Sequence, residues 1–249
     1  MQVTIAGLGL IGGSLGKVLR KAGWRVRFVD PAVSMEQARA AGAADETGER
    51  LDGELVVLAT PADVAIRLLG MTTAALVTSV SSVIVPLRRA AGNLNFVGGH
   101  PFAGSEQSGL AAARNDLFAG RPWFIDRDDP VVRELIAAAG AEPVVVDGEE
   151  HDRIMALTSH LPQVLSTALA SLLDGIDPRF IGSGARSTLR LAGSSYDVWQ
   201  PVLENNDANI SAAAQDLWRA MQNIGAEEFA NAQRFYRSLN RGSGEPPER

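Results

Sequence analysis

Short apolar runs and helical stretches alternate along the first 147 residues, the pattern of an α/β domain built on a mostly parallel sheet. Strands are expected at Val3–Ala6, Arg25–Val29, Leu55–Ala59, Leu76–Ser79, Asn95–Val97, Trp123–Ile125 and Val144–Val146. Between them Ser14–Lys21, Met35–Ala41, Val64–Leu69, Val85–Ala90 and Val131–Ala139 are rich in Ala and Leu at helical spacing, each long enough for a crossover. After Asp147-Gly148 no β-like run appears and helical periodicity takes over. Ile154, Leu157, Leu161, Leu165, Leu169 and Leu172 recur every three or four residues along one helix face, which Pro162 should kink or divide. Ile210, Ala214, Leu217, Met221 and Ile224 form another seam, continued by Phe229, Ala232, Tyr236 and Leu239.

The expected division is therefore an α/β domain over residues 1–148, an all-helical domain over 149–240 and a disordered Gly/Ser/Pro tail over 241–249. The helical segment could close on itself, but so many apolar faces in so short a stretch point to packing against a second copy, a homodimer.

Composition narrows the classes. Hydrophobic residues at 46% and charged ones at 21% are ordinary for a globular chain. A net charge of −6 gives no general attraction to nucleic acid or to anionic membranes. No stretch is apolar for the roughly 18 residues a membrane span needs, and the N-terminus lacks the basic region of an export signal. The absence of Cys excludes disulfides, thiolate metal ligands and a cysteine nucleophile, and fits a reducing cytoplasm.

Val3–Ala6 runs straight into Gly7-Leu8-Gly9-Leu10-Ile11-Gly12, a G-x-G-x-x-G between a strand and a helix. Gly7 allows the tight turn, Gly9 lets the backbone approach a pyrophosphate, and Gly12 lets helix and strand pack closely. The free N–H groups at the helix start, around Leu10 and Ile11, suit the anion. Asp30 ends the next strand, where a carboxylate accepts from the ribose hydroxyls of NAD and repels the 2′-phosphate of NADP. Arg25 and Arg27 lie close enough in sequence to blunt that preference. Thr60-Pro61 supplies a further turn at the same sheet edge, as cofactor contact or as plain turn chemistry. The fold class is thus a Rossmann-type, doubly wound, mostly parallel sheet followed by an all-helical C-terminal dimerisation domain.

Gly98-Gly99-His100-Pro101-Phe102-Ala103-Gly104-Ser105-Glu106 places an imidazole and a carboxylate in a glycine-rich loop beyond a strand. A neutral histidine accepts a proton near pH 7, which alcohol oxidation by hydride transfer requires. His151 and His160, nine residues apart on a regular helix, would face opposite ways and cannot chelate a metal together, so no metal is expected; His160 reads as a buried support for the kinked helix.

At this point the sequence resembles the prephenate/arogenate dehydrogenase family. Gly7–Ser14, Ser82-Val83, Gly98–Glu106, His151-Asp152, Ser159-His160-Leu161-Pro162 and Thr188-Leu189-Arg190-Leu191-Ala192, followed by Trp199, match the family's ordered blocks over nearly the whole chain. The resemblance implies NAD-dependent oxidative decarboxylation of prephenate or arogenate in tyrosine biosynthesis, with His100 as the base. It also implies that Ser82 orients His100, that Arg190 holds a substrate carboxylate, that Ser105 and Glu106 lie at the substrate site with Glu106 steering Arg190, and that Trp199 shapes the pocket. Each has a plainer reading: Ser82 as a helix cap, Arg190 as a surface ion pair, Glu106 as a solvated carboxylate, Trp199 as core.

Two positions depart from the family. Ile84 stands where Lys usually follows Ser-Val, and Gln163 where many prephenate-using members have a second histidine associated with recognising the substrate side chain. With a neutral amide there, the expected substrate is the aminated acid, arogenate, or both acids. No C-terminal regulatory domain is expected after the helical part, so any feedback by tyrosine is expected at the active site. The competing readings are a β-hydroxyacid or imine-type dehydrogenase, whose acid/base lysine is missing because no Lys follows Lys21, and a non-catalytic NAD-sensing dimer.

Overall fold

The computed structural model of the chain describes residues 1–105 and 107–241. By its internal contacts the chain divides into two compact units, Met1–Ile210 and Ser211–Arg249.

The first unit begins with β1 (Gln2–Ala6), α1 (Leu10–Lys21), β2 (Arg25–Val29), α2 (Met35–Ala40), β3 (Glu46–Thr47), β4 (Leu55–Leu58), α3 (Ala62–Leu69), β5 (Leu76–Ser79), α4 (Val85–Ala91) and β6 (Phe96–Val97). The strands form one six-stranded parallel sheet in the order β3-β2-β1-β4-β5-β6. Helices cover both faces, so β4 and β5 are buried throughout; β4 reads as a continuous apolar run, while β5 ends in the buried Thr78 and Ser79. One core gathers Ile5, Leu15, Leu19, Phe28 and Trp123; a second holds Leu58, Leu69, Val83, Leu87 and Phe96.

A second, three-stranded sheet follows: β7 (Gly99–Pro101) is antiparallel to β8 (Pro122–Ile125), and β8 is parallel to β9 (Glu142–Val145), with α5 (Pro130–Ala138) as the crossover. Asp129 caps α5 by accepting from the Val131 and Val132 amides, and Pro130 needs no donor at the first helical position. Beyond β9 the described residues are helical: α6 (Gly148–Met155), α7 (Leu161–Leu172), α8 (Ser183–Thr188), α9 (Tyr196–Asn205) and the start of α10 (Asp207–Met221). The change from α/β to all-helical order thus falls at Gly148, inside the first unit. The second unit holds the rest of α10 and α11 (Ala226–Arg241), where Trp218, Met221, Ile224, Phe229, Phe235, Tyr236 and Leu239 are exposed.

The sequence pattern missed four elements: β3, β7, α8 and α9. The miss at β7 matters most, because His100 lies on a short paired strand and not in a loop. The last helix includes Arg241, which had been expected to open the tail; residues 242–249 lie outside the described residues. No helix among the described residues is long and apolar enough to cross a membrane.

Candidate active site

The strand order reverses between β1 and β4, and ligands of such sheets bind outside the strand ends at that point. The loops leaving these two strands touch there. Gly7 takes φ +89°, and a Cβ on it would lie 2.7 Å from the Ala59 carbonyl oxygen; one on Gly12 would lie 2.0 Å from the Gly7 carbonyl oxygen. Both positions therefore demand glycine. Gly9 differs, with nothing within 4 Å of its would-be Cβ, and as the residue before α1 it offers no side-chain cap to the helix start at Leu10 and Ile11. Pro61 likewise brings no side-chain cap to α3. The Thr60 hydroxyl is buried beside Gly7 with no hydrogen-bond partner among the described residues. An open glycine, an uncapped helix N-terminus and an orphaned hydroxyl together fit an anionic dinucleotide. Asp30 does more than end β2: its Oδ2 accepts the Leu8 amide at 2.7 Å and its Oδ1 the Ala32 amide at 2.8 Å, which pins the glycine loop.

His100 sits on β7 opposite Phe124, 9% exposed, with the Phe102 and Phe124 rings each 6.1 Å away. Asp126 holds the strand's approach by accepting the Gly98 amide at 2.8 Å while pairing with Arg88. Nδ1 of His100 lies 2.9 Å from Nε2 of His151, whose Nδ1 lies 2.8 Å from Asp152 Oδ1. Burial, with the His151 and His160 rings acting in the same direction, pushes the His100 imidazole down to about 3, so it is neutral at physiological pH.

His151 and Asp152 carried no role in the sequence reading, although their adjacency was visible in it. The regular-helix expectation set His151 and His160 on opposite faces; instead a π turn at Ala156–His160, just before Pro162, separates α6 from α7. A residue without an amide proton relaxes the helix in this way, and π turns concentrate at functional sites. His160 is fully buried, its Nδ1 accepting from Asn206 Nδ2 at 3.1 Å, and the same Asn206 amide donates to the Asp152 carbonyl at 2.8 Å. All three histidines of the chain thus belong to one buried polar network. Burial lowers His160 to about 4, against an upward pull from Asp152.

The buried residues of α7 are Leu161 and the polar Gln163 and Ser166, whereas Leu165 and Leu172 of the apolar stripe, and Leu157 on the π turn before it, are exposed. Gln163 Nε2 donates to Thr167 Oγ1 and to the Leu191 carbonyl, and Ser166 Oγ accepts the Ala192 amide. These bonds hold the 3-10 turn Leu189–Gly193, on which Arg190 is exposed. Trp199, on α9, stands edge-on to His160 at 6.0 Å. Ser82 is half-buried at the end of β5's loop, and the contact on His100 comes from His151 rather than from Ser82. Ser105 is exposed and accepts the Gln107 amide; Glu106 lies outside the described residues.

Residues 15–129 match the profile of the prephenate dehydrogenase nucleotide-binding domain, and residues 147–237 that of the prephenate dehydrogenase dimerization domain. NovF of Streptomyces niveus, named as a probable prephenate dehydrogenase, is 36% identical over 243 residues, covering 88% of this chain and 67% of that protein. The prephenate dehydrogenase of Bacillus subtilis is 28% identical, with 95% of this chain and 73% of that protein covered. Among solved structures, Synechocystis arogenate dehydrogenase superposes with a TM-score of 0.74 at 26% identity, over 98% of both chains. With both domain profiles matched in order across most of its length, the chain belongs to the prephenate dehydrogenase family.

Proposed function

We propose that this protein oxidatively decarboxylates a cyclohexadienol acid, prephenate or arogenate, with NAD as acceptor and His100 as base. The observation that carries the reading is His100 itself: a buried, neutral imidazole whose Nδ1 is engaged by His151, so that Nε2 is the nitrogen left for substrate. NAD, when bound along the Gly7–Gly12 loop with Asp30 and Thr60-Pro61 beside it, supplies the acceptor for the hydride leaving the ring carbon that bears the hydroxyl. His100 Nε2 takes the hydroxyl proton as a carbonyl forms at that carbon; the ring carboxylate then leaves as CO2, its bonding pair entering the ring and displacing the carbonyl π pair onto oxygen, and the aromatic phenolate so formed takes up a proton. Arg190 grips a substrate carboxylate through its planar fork, with Ser82, Ser105, Glu106 and Trp199 completing the surroundings.

Between the two substrates the amide of Gln163 favours arogenate. The Leu191 carbonyl can only accept, so Nε2 of Gln163 is fixed towards it and Oε1 remains an acceptor, buried and without a partner among the described residues. An acceptor suits the ammonium of arogenate better than the keto oxygen of prephenate. Residues 1–148 serve the cofactor and residues 149–240 the substrate and a homodimer interface, to which the exposed leucines of α7 and the apolar faces of α10 and α11 contribute.

The test is the absorbance of NADH formed from NAD with each acid in turn. Turnover of arogenate with a higher kcat/KM than prephenate supports the reading; turnover of neither ends it. A sedimentation measurement giving a monomer at micromolar concentration would remove the dimer.

A further inference from the structure

We propose that His151 and Asp152 are positioning residues that hold His100 in the one tautomer able to act as a base towards substrate, and that receive the charge it gains. This rests on the function proposed above.

The hydrogen bonds leave little choice of proton position. Asp152 Oδ1 accepts the Ile84 amide at 2.8 Å and Oδ2 accepts the Val85 amide at 2.9 Å, so the carboxylate is surrounded by donors. His151 Nδ1, 2.8 Å from Oδ1, must then be a donor too, which in the neutral ring makes its Nε2 an acceptor. His100 Nδ1, 2.9 Å from that Nε2, must donate, and the lone pair of His100 is confined to Nε2. The order carboxylate, imidazole, imidazole is thereby fixed from the backbone of the Ser82–Val85 segment outward. His151 and Asp152 are each 1% exposed, so water does not compete for these bonds.

The same chain answers an energetic need. A proton arriving at Nε2 creates an imidazolium in a buried site whose other close neighbours are the Phe102 and Phe124 rings. The titratable groups facing it are His151, with Asp152 behind it and His160 beyond, while Glu106, near in sequence, lies outside the described residues. Through the Nδ1–H bond to His151 and the next bond to Asp152, the new positive charge is met by the carboxylate. The amides of Ile84 and Val85 explain why the side chain at Ile84 need not be the family's lysine: this part of the segment works through its backbone.

Two measurements test this. In histidine-selective 15N spectra of the whole protein, His100 should show the tautomer protonated at Nδ1; the tautomer protonated at Nε2 overturns the proposal whatever any variant does. His151→Phe keeps a ring but offers no acceptor, and should lower kcat about a hundredfold with substrate KM and NAD affinity within about threefold. His151→Gln, whose amide oxygen can accept the Nδ1 proton, should recover about tenfold of the loss. An unchanged kcat in His151→Phe, or a loss shared equally by KM and NAD affinity, makes the pair merely structural. These outcomes are read against a wild type that turns over; a wild type inert to both acids defeats the proposed function instead.

Discussion

The side chain of Gln163 and the main chain of Leu191 are joined by a 2.8 Å hydrogen bond that ties α7 to the turn carrying Arg190. Gln163 therefore also anchors the neighbour of the candidate carboxylate clamp. Gln163→Ala removes that donor and strands a carbonyl, which should cost about 1–3 kcal/mol in urea denaturation and raise KM as well. Arg190→Ala should raise KM strongly without a comparable loss of stability, since it is exposed on the turn. Equal stability of the two variants would show that the tether carries no weight.

His100→Asn can still donate to His151 from its amide but offers no basic nitrogen. Its kcat should fall by about 10²–10⁴ while substrate KM stays close to that of the parent. A KM effect without a kcat effect would move the base elsewhere.

The glycine loop separates two kinds of requirement. Gly12→Ala places a methyl where the Gly7 carbonyl oxygen already is, so the loop must be displaced and the variant should lose thermal stability. Gly9→Ala meets open space and should fold normally, yet its methyl occupies the path of an approaching pyrophosphate. Fluorescence titration should show weakened NAD binding in both, with an unchanged melting temperature only for Gly9→Ala.

Acid should destabilise the protein before the carboxylates titrate. His100 and His160 are held neutral in the folded state, down to about 3 and about 4, but have ordinary values near 6.5 once unfolded. Between pH 6.5 and pH 4 the unfolded chain binds more protons, so stability is full above pH 6.5 and falls as the pH drops. The slope approaches about 1.4 kcal/mol per pH unit for each histidine. Chemical denaturation at a series of pH values checks this, and a flat profile from pH 7 to pH 5 contradicts it.

Much of the cofactor half was legible because its signals are local. Val3–Ala6 running into Gly7 announces strand, turn and helix at once, and Arg25–Val29 was located to the residue. The strand that carries His100 was not legible, since Gly99 and Pro101 are turn formers and only pairing with Ile125 and Trp123 extends them. The role of His151 was hidden by the assumption of an unbroken α-helix through residue 160. Apolar spacing does not encode a π turn, nor does it tell that of the α7 stripe Leu161 is buried while Leu165 and Leu172 are exposed. The polar inward face, Gln163 and Ser166, becomes intelligible only when the distant turn at Leu191 is in place.

The π turn at Ala156–His160 amounts to one surplus residue in an otherwise regular helix. Deleting a single exposed position there, such as Thr158, would let α6 and α7 fuse, and everything upstream would swing by about 100° relative to α7. His151 would leave His100 although no site residue had been changed. In this segment register outranks residue identity: many substitutions at 157–158 should be silent, whereas a one-codon loss should abolish catalysis in a chain that still makes all its helices.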